Sequence, residues 1–211
     1  MNQSLDHLSP KRQQALARAT DIILEELQAR ADSRGTSKAK RYRLLKLILF
    51  GQFTSGAGAG NTPPGTKSGM NLLVIVSHRD LTGMSAFWEE VEDRIANDRQ
   101  VKCPATLIIH TLPDVNRHIK DGAYFFTEII TKGIMIHEDM EPGKDGRPKN
   151  ILARPSGSDS QRAYEIGLEH HQYWKRSTEQ FLIVSRQGLQ AGPDWRNNTA
   201  FQLNQAAESA Y

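Results

Sequence analysis

The sequence contains a single cysteine, Cys103. One thiol cannot form an intramolecular disulfide, and it cannot by itself make a cysteine-based zinc site. The chain also lacks any apolar stretch near the roughly 20 residues that a membrane-spanning helix needs, and its N-terminus lacks the basic and then apolar order of a secretion signal. These absences argue against a disulfide-stapled scaffold and predict a cytoplasmic protein with no membrane partner.

The chain has no strong excess of positive or of negative charge. The 211 residues include 27 Lys and Arg against 24 Asp and Glu, a formal net charge of +3. This excess is too small to indicate a nucleic-acid partner. A basic cluster at 38–43 (KAKRYR) could contact RNA phosphates, although charge runs of this kind more often form solvated faces. RNA binding therefore stays an open alternative.

Two apolar runs flank a loop that is rich in glycine and proline. Residues 44–50 (LLKLILF) and 71–76 (NLLVIV) predict two strands, and residues 54–70 form the loop between them. Glycines allow backbone N–H groups to approach an anion closely. Such loops are also often plain connections, so a phosphate site is a hypothesis here rather than a conclusion.

The remaining pattern alternates helices with short strands. After Ser9-Pro10, helical spacing continues to about Ala31 through Leu16, Ala19, Ile23 and Leu27, and it recurs in several later segments. The later segments are a helix that Thr82 or Ser85 could cap and that runs to about Asn97, a helix that Thr111 could cap and that ends at Gly122, and a helix over 124–132, with strands at 105–110 and 134–137. We interpret the aromatic triplet at 124–126 as core rather than as a nucleic-acid surface.

The order of these parts resembles the core of the DNA polymerase β-like nucleotidyltransferases. The similarity is carried by residues 47–53 (LILFGQF) and 68–76 (SGMNLLVIV), and it continues through 108–117 and 124–130. The whole chain resembles the minimal nucleotidyltransferases that are fused to a C-terminal HEPN helical domain. This resemblance implies an α+β fold, in which a small mixed sheet with flanking helices is followed by an α-helical hairpin.

In working members of that family, a Gly-Ser pair positions the nucleotide phosphates and acidic residues hold magnesium ions. Here Gln52 follows Gly51 at the pair, Gly69 and Asn71 occupy the two aspartate positions, and Thr106 occupies the third acidic position. None of these side chains offers the carboxylate that Mg²⁺ prefers. We therefore expect no metal site and no catalytic residue at Gly69, Asn71 or Thr106.

Loss of the carboxylates would also change what the pocket attracts. A phosphate could bind directly to backbone N–H groups and to Lys67 and Ser68, close to Gly51, Gln52 and Asn71. The sequence thus predicts a metal-independent nucleotide or anion pocket at these five residues. A vestigial loop without a ligand is the competing interpretation.

Residues 141–158 are dense in turn-forming residues and predict a linker. The linker divides a nucleotidyltransferase-like domain at 1–140 from a partial HEPN-like helical segment at 159–211. Two helices alone expose apolar surface, which predicts pairing with a second copy, with a HEPN-domain partner, or with the first domain. The Arg-x-x-x-x-His motif of HEPN ribonucleases is absent from the segment.

Two histidines lie close to predicted strand ends. His110 ends the third strand and His78 follows the second. Either could contact phosphate or carry a proton. Without an identifiable partner in the sequence, we interpret both as structural histidines.

Two functions follow from these observations. The first is a degenerate nucleotidyltransferase-like protein that acts as a non-catalytic nucleotide-binding or protein-interaction module, such as the antitoxin-like partner of a HEPN toxin. The second is an active nucleotidyltransferase that moves a nucleoside monophosphate from an NTP to a hydroxyl of protein, RNA or a small molecule. Only the second function requires Mg²⁺.

Overall fold

A computed structural model describes residues 3–33, 42–55, 69–139, 149–155 and 160–210. The chain forms two compact units, Met1–Ser156 and Gly157–Tyr211. Residues 149–155, which lie within the predicted linker, pack on the first unit, where Leu152 and Ala153 contact its core. Within the described ranges, no helix combines the length and apolar character needed to cross a membrane.

Within its described residues, the first unit contains four helices and four strands. They are α1 (Pro10–Ser33), β1 (Leu44–Phe50), β2 (Met70–Val76), α2 (Ser85–Asn97), β3 (Ala105–Thr111), α3 (Leu112–Lys120), α4 (Tyr124–Lys132) and β4 (Ile134–Glu138). Short 3₁₀ turns at Gly51–Ser55 and Arg79–Gly83 follow β1 and β2. Every helix and strand predicted for this part of the sequence is present at nearly the predicted bounds.

The strands form one sheet in the order β3-β2-β1-β4. β1 runs antiparallel to both β2 and β4, whereas β2 and β3 are parallel. α2 makes the crossover that a parallel pair requires. The predicted α+β architecture, a small mixed sheet with flanking helices, is confirmed.

Helices cover both faces of the sheet, which explains why β1 and β2 are apolar at nearly every position. α1 and α2 pack on one face, and α3 and α4 pack on the other. The first core contains Leu47, Leu72 and Val74 with Ile23 and Val91, and the second contains Ile48, Leu73 and Ile75 with Val115 and Ile129. We call the second side the α3/α4 face.

Local capping explains where α3 begins. The Thr111 hydroxyl accepts a hydrogen bond from the Asp114 backbone N–H at 3.3 Å and donates one to the Asp114 carboxylate at 2.7 Å. This side-chain cap is the one that the sequence predicts. α2 differs, because its cap is Met84, whose side chain makes no capping bond, and the Arg79–Gly83 turn precedes it.

The second unit is a pair of helices, α5 (Ser160–Ala191) and α6 (Arg196–Ala210), joined by a 3₁₀ turn at Pro193–Trp195. Small side chains lie where the helices meet: Ser185, Gly188, Thr199 and Ala206 are the buried positions. A side chain at Gly188 would collide with the Thr199 hydroxyl. Most large apolar residues of both helices are exposed, among them Trp174, Ile183 and Phe201.

Candidate functional site

The end of β1 turns sharply at Gly51, the first of the predicted phosphate-binding residues. Gly51 has φ of +78°, a conformation that side chains other than glycine rarely adopt. The following 3₁₀ turn is held by the Thr54 hydroxyl, which donates to the Gly51 carbonyl at 2.8 Å. Phe53 anchors the turn in the core, and its carbonyl lies 3.0 Å from the His7 Nε2. Gln52 is left on the exposed side of the turn.

Sheet register brings three of the predicted site residues together. Asn71 on the central strand β2 pairs with Phe50 on β1 and with Thr106 on β3. Gly51 approaches the same point, because a Cβ built on it would lie 3.0 Å from the Asn71 Nδ2. Asn71 is half-buried and Thr106 is exposed. Gly51, Asn71 and Thr106 therefore form one cluster at the end of the sheet, which we call the strand-end cluster.

Gly69 lies one residue before β2 and faces a different neighbour. A Cβ there would lie 3.1 Å from the Pro104 carbonyl oxygen, and the Met70 N–H donates to that same oxygen at 2.8 Å. Gly69 is thus packed against the chain that leads into β3. The predicted ligand residues Lys67 and Ser68 lie outside the described residues.

The donor set of the strand-end cluster is neutral. Asn71 supplies an amide and Thr106 a hydroxyl, whereas Gly51 supplies only backbone groups. In the part of the chain that the structure describes, no group of three or more His, Cys, Asp or Glu side chains is placed to hold a metal ion. These residues do not fit the carboxylate-rich coordination that Mg²⁺ takes in nucleotide sites.

A pocket of about 500 Å³ adjoins the cluster. Its lining combines the turn after β1 with one side of α4, and consists of Phe50, Gly51, Gln52, Thr54, Phe125, Glu128, Ile129 and Lys132. The Phe125 ring meets the Phe50 ring edge-on, with centroids 5.7 Å apart. Glu128 and Lys132 pair across one helical turn at 2.8 Å. This hydrogen bond lowers the pKa of Glu128 and raises that of Lys132, so both groups are charged at neutral pH.

The aromatic triplet is only partly core, contrary to our sequence interpretation. Tyr124 is 75% exposed and Phe125 is 42% exposed, whereas Phe126 is 7% exposed. Helical spacing explains the difference, because Phe126 and Ile129 share the inward face of α4, and the two preceding residues fall outside it. The 3.6-residue helical period, applied to each residue of the triplet, would have predicted that Tyr124 and Phe125 are exposed.

His110 lies on β3, four residues beyond Thr106, among other rings of the α3/α4 face. Its ring meets Phe126 edge-on at 5.0 Å, and His118 stacks on Phe126 at 4.7 Å. Burial lowers the pKa of His110, and the neighbouring His118 lowers it further, whereas Asp114 acts in the opposite direction. A neutral, ring-packed His110 is suited to a structural role. His78 accepts a hydrogen bond from the Asp80 N–H at 3.2 Å and thereby caps the turn after β2.

Only the end of the basic cluster at 38–43 is described. Tyr42 is buried, and its hydroxyl lies 3.3 Å from Asp80. Arg43 pairs with Asp139 at 3.5 Å. These two side chains are thus engaged within the first unit, and residues 38–41 lie outside the described ranges.

Comparison with known proteins adds no assignment to this geometry. Searches against protein-family models, curated proteins and solved structures find no match for the chain.

Proposed function

We propose that the first unit is a non-catalytic nucleotide-binding module built on a nucleotidyltransferase-like fold. The observation that carries the proposal is the strand-end cluster, where Gly51, Asn71 and Thr106 meet with neutral donors beside a pocket of about 500 Å³. A triphosphate carries its own negative charge, so a strand-end cluster without carboxylates can accept it without a metal ion, and the Glu128 carboxylate of the adjoining pocket is already paired with Lys132.

The pocket supplies complementary chemistry at its two sides. Gly51 lacks a side chain, so a phosphate oxygen can approach the backbone there. The Lys132 ammonium lies on the α4 side, and the exposed Phe125 ring offers an aromatic edge. Lys67 and Ser68 complete the proposed phosphate contacts from the loop. A nucleotide needs an anion site joined to an apolar site, and these residues offer both.

The fold-level order of parts supports the nucleotidyltransferase-like assignment. β1 and β2 are an antiparallel pair joined by the glycine-rich loop, and β3 returns parallel to β2 after a helical crossover. The family resemblance places its phosphate and metal positions on this hairpin and on the next strand. The register pairs Asn71 with Thr106, which are two of those positions.

Calorimetric titration with ATP, CTP, GTP and UTP, each with and without Mg²⁺, tests the proposal. We expect binding that does not require Mg²⁺. Asn71→Asp should weaken binding about tenfold or more, because the new carboxylate repels phosphate at close range. Asn97→Asp on α2 is the matched control, since it makes the same charge change on the other side of the sheet.

Three other outcomes would decide against this function. Absence of binding to all four nucleotides would overturn it. Equal loss of affinity in both Asn→Asp variants would place the nucleotide elsewhere. Strictly Mg²⁺-dependent binding would instead favour the active nucleotidyltransferase, with metal ligands that lie outside the strand-end cluster.

The second unit favours an additional role in protein interaction, and we propose that its partner is a second copy of the chain. Large apolar side chains are exposed along both helices; they include Tyr164, Leu168, Tyr173, Trp174, Leu182, Ile183, Val184 and Leu189 on α5, and Phe201 and Leu203 on α6. A two-helix layer cannot bury this much apolar surface against itself. A copy of the same hairpin offers a matching apolar face, as in symmetric four-helix assemblies.

Light scattering coupled to size-exclusion chromatography tests this pairing. We expect a dimer that is converted to a monomer by Ile183→Lys with Phe201→Lys. Arg176→Glu, an exposed polar change on α5, is the control and should leave the dimer intact. A monomeric wild-type protein would contradict self-pairing, and capture of a separate HEPN-domain chain by that monomer would identify the alternative partner.

A further inference from the structure

Lys46 is a lysine buried in the middle of a sheet. It lies on β1, its side chain is 1% exposed, and Glu138 on β4 is its partner in the register. The Lys46 Nζ donates to the Glu138 carboxylate. A bulge in the β1–β2 pairing between Leu44 and Lys46 adds one residue to β1 at this point. A bulge re-aims the side chains beside it, which accounts for a lysine at a position that is otherwise apolar.

Lys46 is one of the residues that line a pocket of about 580 Å³ on the first unit. The pocket lining combines β1 and β4, the end of α4, the segment 150–155 and Gln3, and includes Lys46, Glu138, Ile130, Met135, Leu152 and Arg154. Its walls are mostly apolar, and its charged groups are two cations and one carboxylate. The charge balance of the lining is therefore positive.

Two hydrogen bonds made by the side chain of Asn116 hold one wall of this pocket in place. The Asn116 amide on α3 donates to the Ile151 carbonyl at 3.0 Å and accepts from the Ala153 N–H at 2.7 Å. The Asn150 amide donates to the Asp139 carbonyl at 3.4 Å. The segment that carries Leu152 and Arg154 is thus tied to α3 and to the end of β4, so the pocket is preformed.

The hydrogen-bonding capacity of Lys46 exceeds what its protein neighbours use. An ammonium has three N–H donors. Among the described residues, Glu138 is the only acceptor that contacts the Lys46 Nζ. Buried charged donors are stable when their hydrogen bonds are made, so the remaining N–H groups favour an acceptor inside the pocket.

We propose that this pocket binds a small organic acid, with its carboxylate on Lys46 and its apolar body against Ile130, Met135 and Leu152. The net positive lining favours an anion over a neutral acceptor, and Arg154 lies at the exposed part of the pocket. This pocket shares no lining residue with the pocket that adjoins the strand-end cluster. The proposal does not depend on nucleotide binding.

Titration followed by NMR chemical-shift changes tests the proposal with two matched pairs, butyrate against butyramide and benzoate against benzamide. We expect saturable shifts at residues that line the pocket and about tenfold tighter binding of each acid than of its amide, because hydrogen bonds to charged groups are the stronger ones. Lys46→Met should abolish the preference for the acid. Lys46→Met leaves the Glu138 carboxylate without its partner, but that side chain is 34% exposed and stays hydrated, so the variant is expected to fold.

A second variant predicts a change in the opposite direction. Glu138→Gln keeps an acceptor for Lys46 and removes the competing negative charge, so it should tighten acid binding several-fold. Glu89→Gln, the same charge change on the exposed side of α2, is the control and should have no effect. A purely structural Lys46–Glu138 pair predicts no such gain. Equal binding of acids and amides, no saturable binding, or unchanged affinity in Glu138→Gln would each overturn the proposal.

Discussion

Gly51 and the Asn71 side chain approach each other closely at the end of the β1–β2 hairpin, where a Cβ on residue 51 would lie 3.0 Å from the Asn71 Nδ2. The glycine also has φ of +78°. The positive φ and the close approach both favour a residue without a side chain. The fold and the proposed nucleotide site therefore both favour glycine at position 51.

The first prediction concerns this pair. Gly51→Ala should destabilise the first unit by about 1–2 kcal/mol, because alanine is strained in the left-handed region, and it should weaken nucleotide binding by displacing Asn71. Gly83→Ala is the matched control, since a Cβ at Gly83 meets nothing within 4 Å. Urea unfolding and nucleotide titration of both variants provide the measurements. Similar behaviour of the two variants would contradict the close approach.

The second prediction restores charge to the cluster. Asn71→Asp with Thr106→Asp places two carboxylates on paired positions of adjacent parallel strands. We expect like-charge repulsion to destabilise the double variant. Added Mg²⁺ should restore stability, because carboxylates are the protein ligands that Mg²⁺ prefers. Thermal unfolding with and without Mg²⁺ measures the gain.

The control for this design is Asn71→Ser with Thr106→Ser, which alters the same positions without charge. It should show no response to Mg²⁺. Gly69 is left unchanged, because a side chain there would press on the Pro104 carbonyl. If the acidic double variant folds and ignores Mg²⁺, the two positions do not form a shared site.

The third prediction tests the packing of the turn between α4 and β4 against β1. A Cβ at Gly133 would lie 2.8 Å from the Ile48 Cγ2 and would also collide with the Ile129 carbonyl. Gly133→Ala should therefore cost about 1–3 kcal/mol of unfolding free energy, as overpacking of a core does. Denaturant midpoints for this variant and for Gly83→Ala provide the comparison. A cost near zero would mean that the turn before β4 relaxes easily.

The fourth prediction is a pH dependence that originates at His110. Its folded-state pKa lies below the ordinary value of 6.5 because of burial and the neighbouring His118. The unfolded chain thus binds the proton more readily, and stability falls as pH drops below about 6.5 and through the folded-state pKa. Urea midpoints should be lower at pH 5.5 than at pH 7.5.

His110→Phe separates this residue from the other histidines. The variant keeps an aromatic ring against Phe126, with which His110 makes its edge-on contact, and it should show a smaller loss of stability on acidification. Asp114 does not confuse the comparison, because the ordinary pKa of an aspartate, 3.8, already lies below this window and the Thr111 hydroxyl lowers the pKa of Asp114 further. An unchanged pH dependence in the variant would assign the effect to another group.

The local pattern of apolar residues predicted the helices and strands of this fold well. The apolar period of α1 identified Leu16, Ala19, Ile23 and Leu27, all of which are buried. Thr111 was identified as a cap because its hydroxyl needs only the next turn of its own helix. These features depend on neighbours within a few residues, so the sequence contains the information directly.

The site was predictable only in part. The family resemblance identified Gly51, Asn71 and Thr106 individually. Their approach to one another depends on the strand register, which joins residues far apart in the chain. The exposure of Tyr124 and Phe125 was missed, because the triplet was treated as one unit. The pocket beside α4 was missed for the same reason.

By itself, the sequence determined the helices and strands, the absence of a disulfide framework and the neutral character of the strand-end positions, because composition and short-range periodicity set these properties. Only the tertiary structure decided that Lys46 is buried against Glu138, that Asn116 clamps the segment at 151–153, and that Gly51 meets Asn71. The physical reason is that each of these contacts joins residues far apart in the chain. Sheet order, a bulge and helix packing bring such residues together, and none of these is encoded in a local pattern.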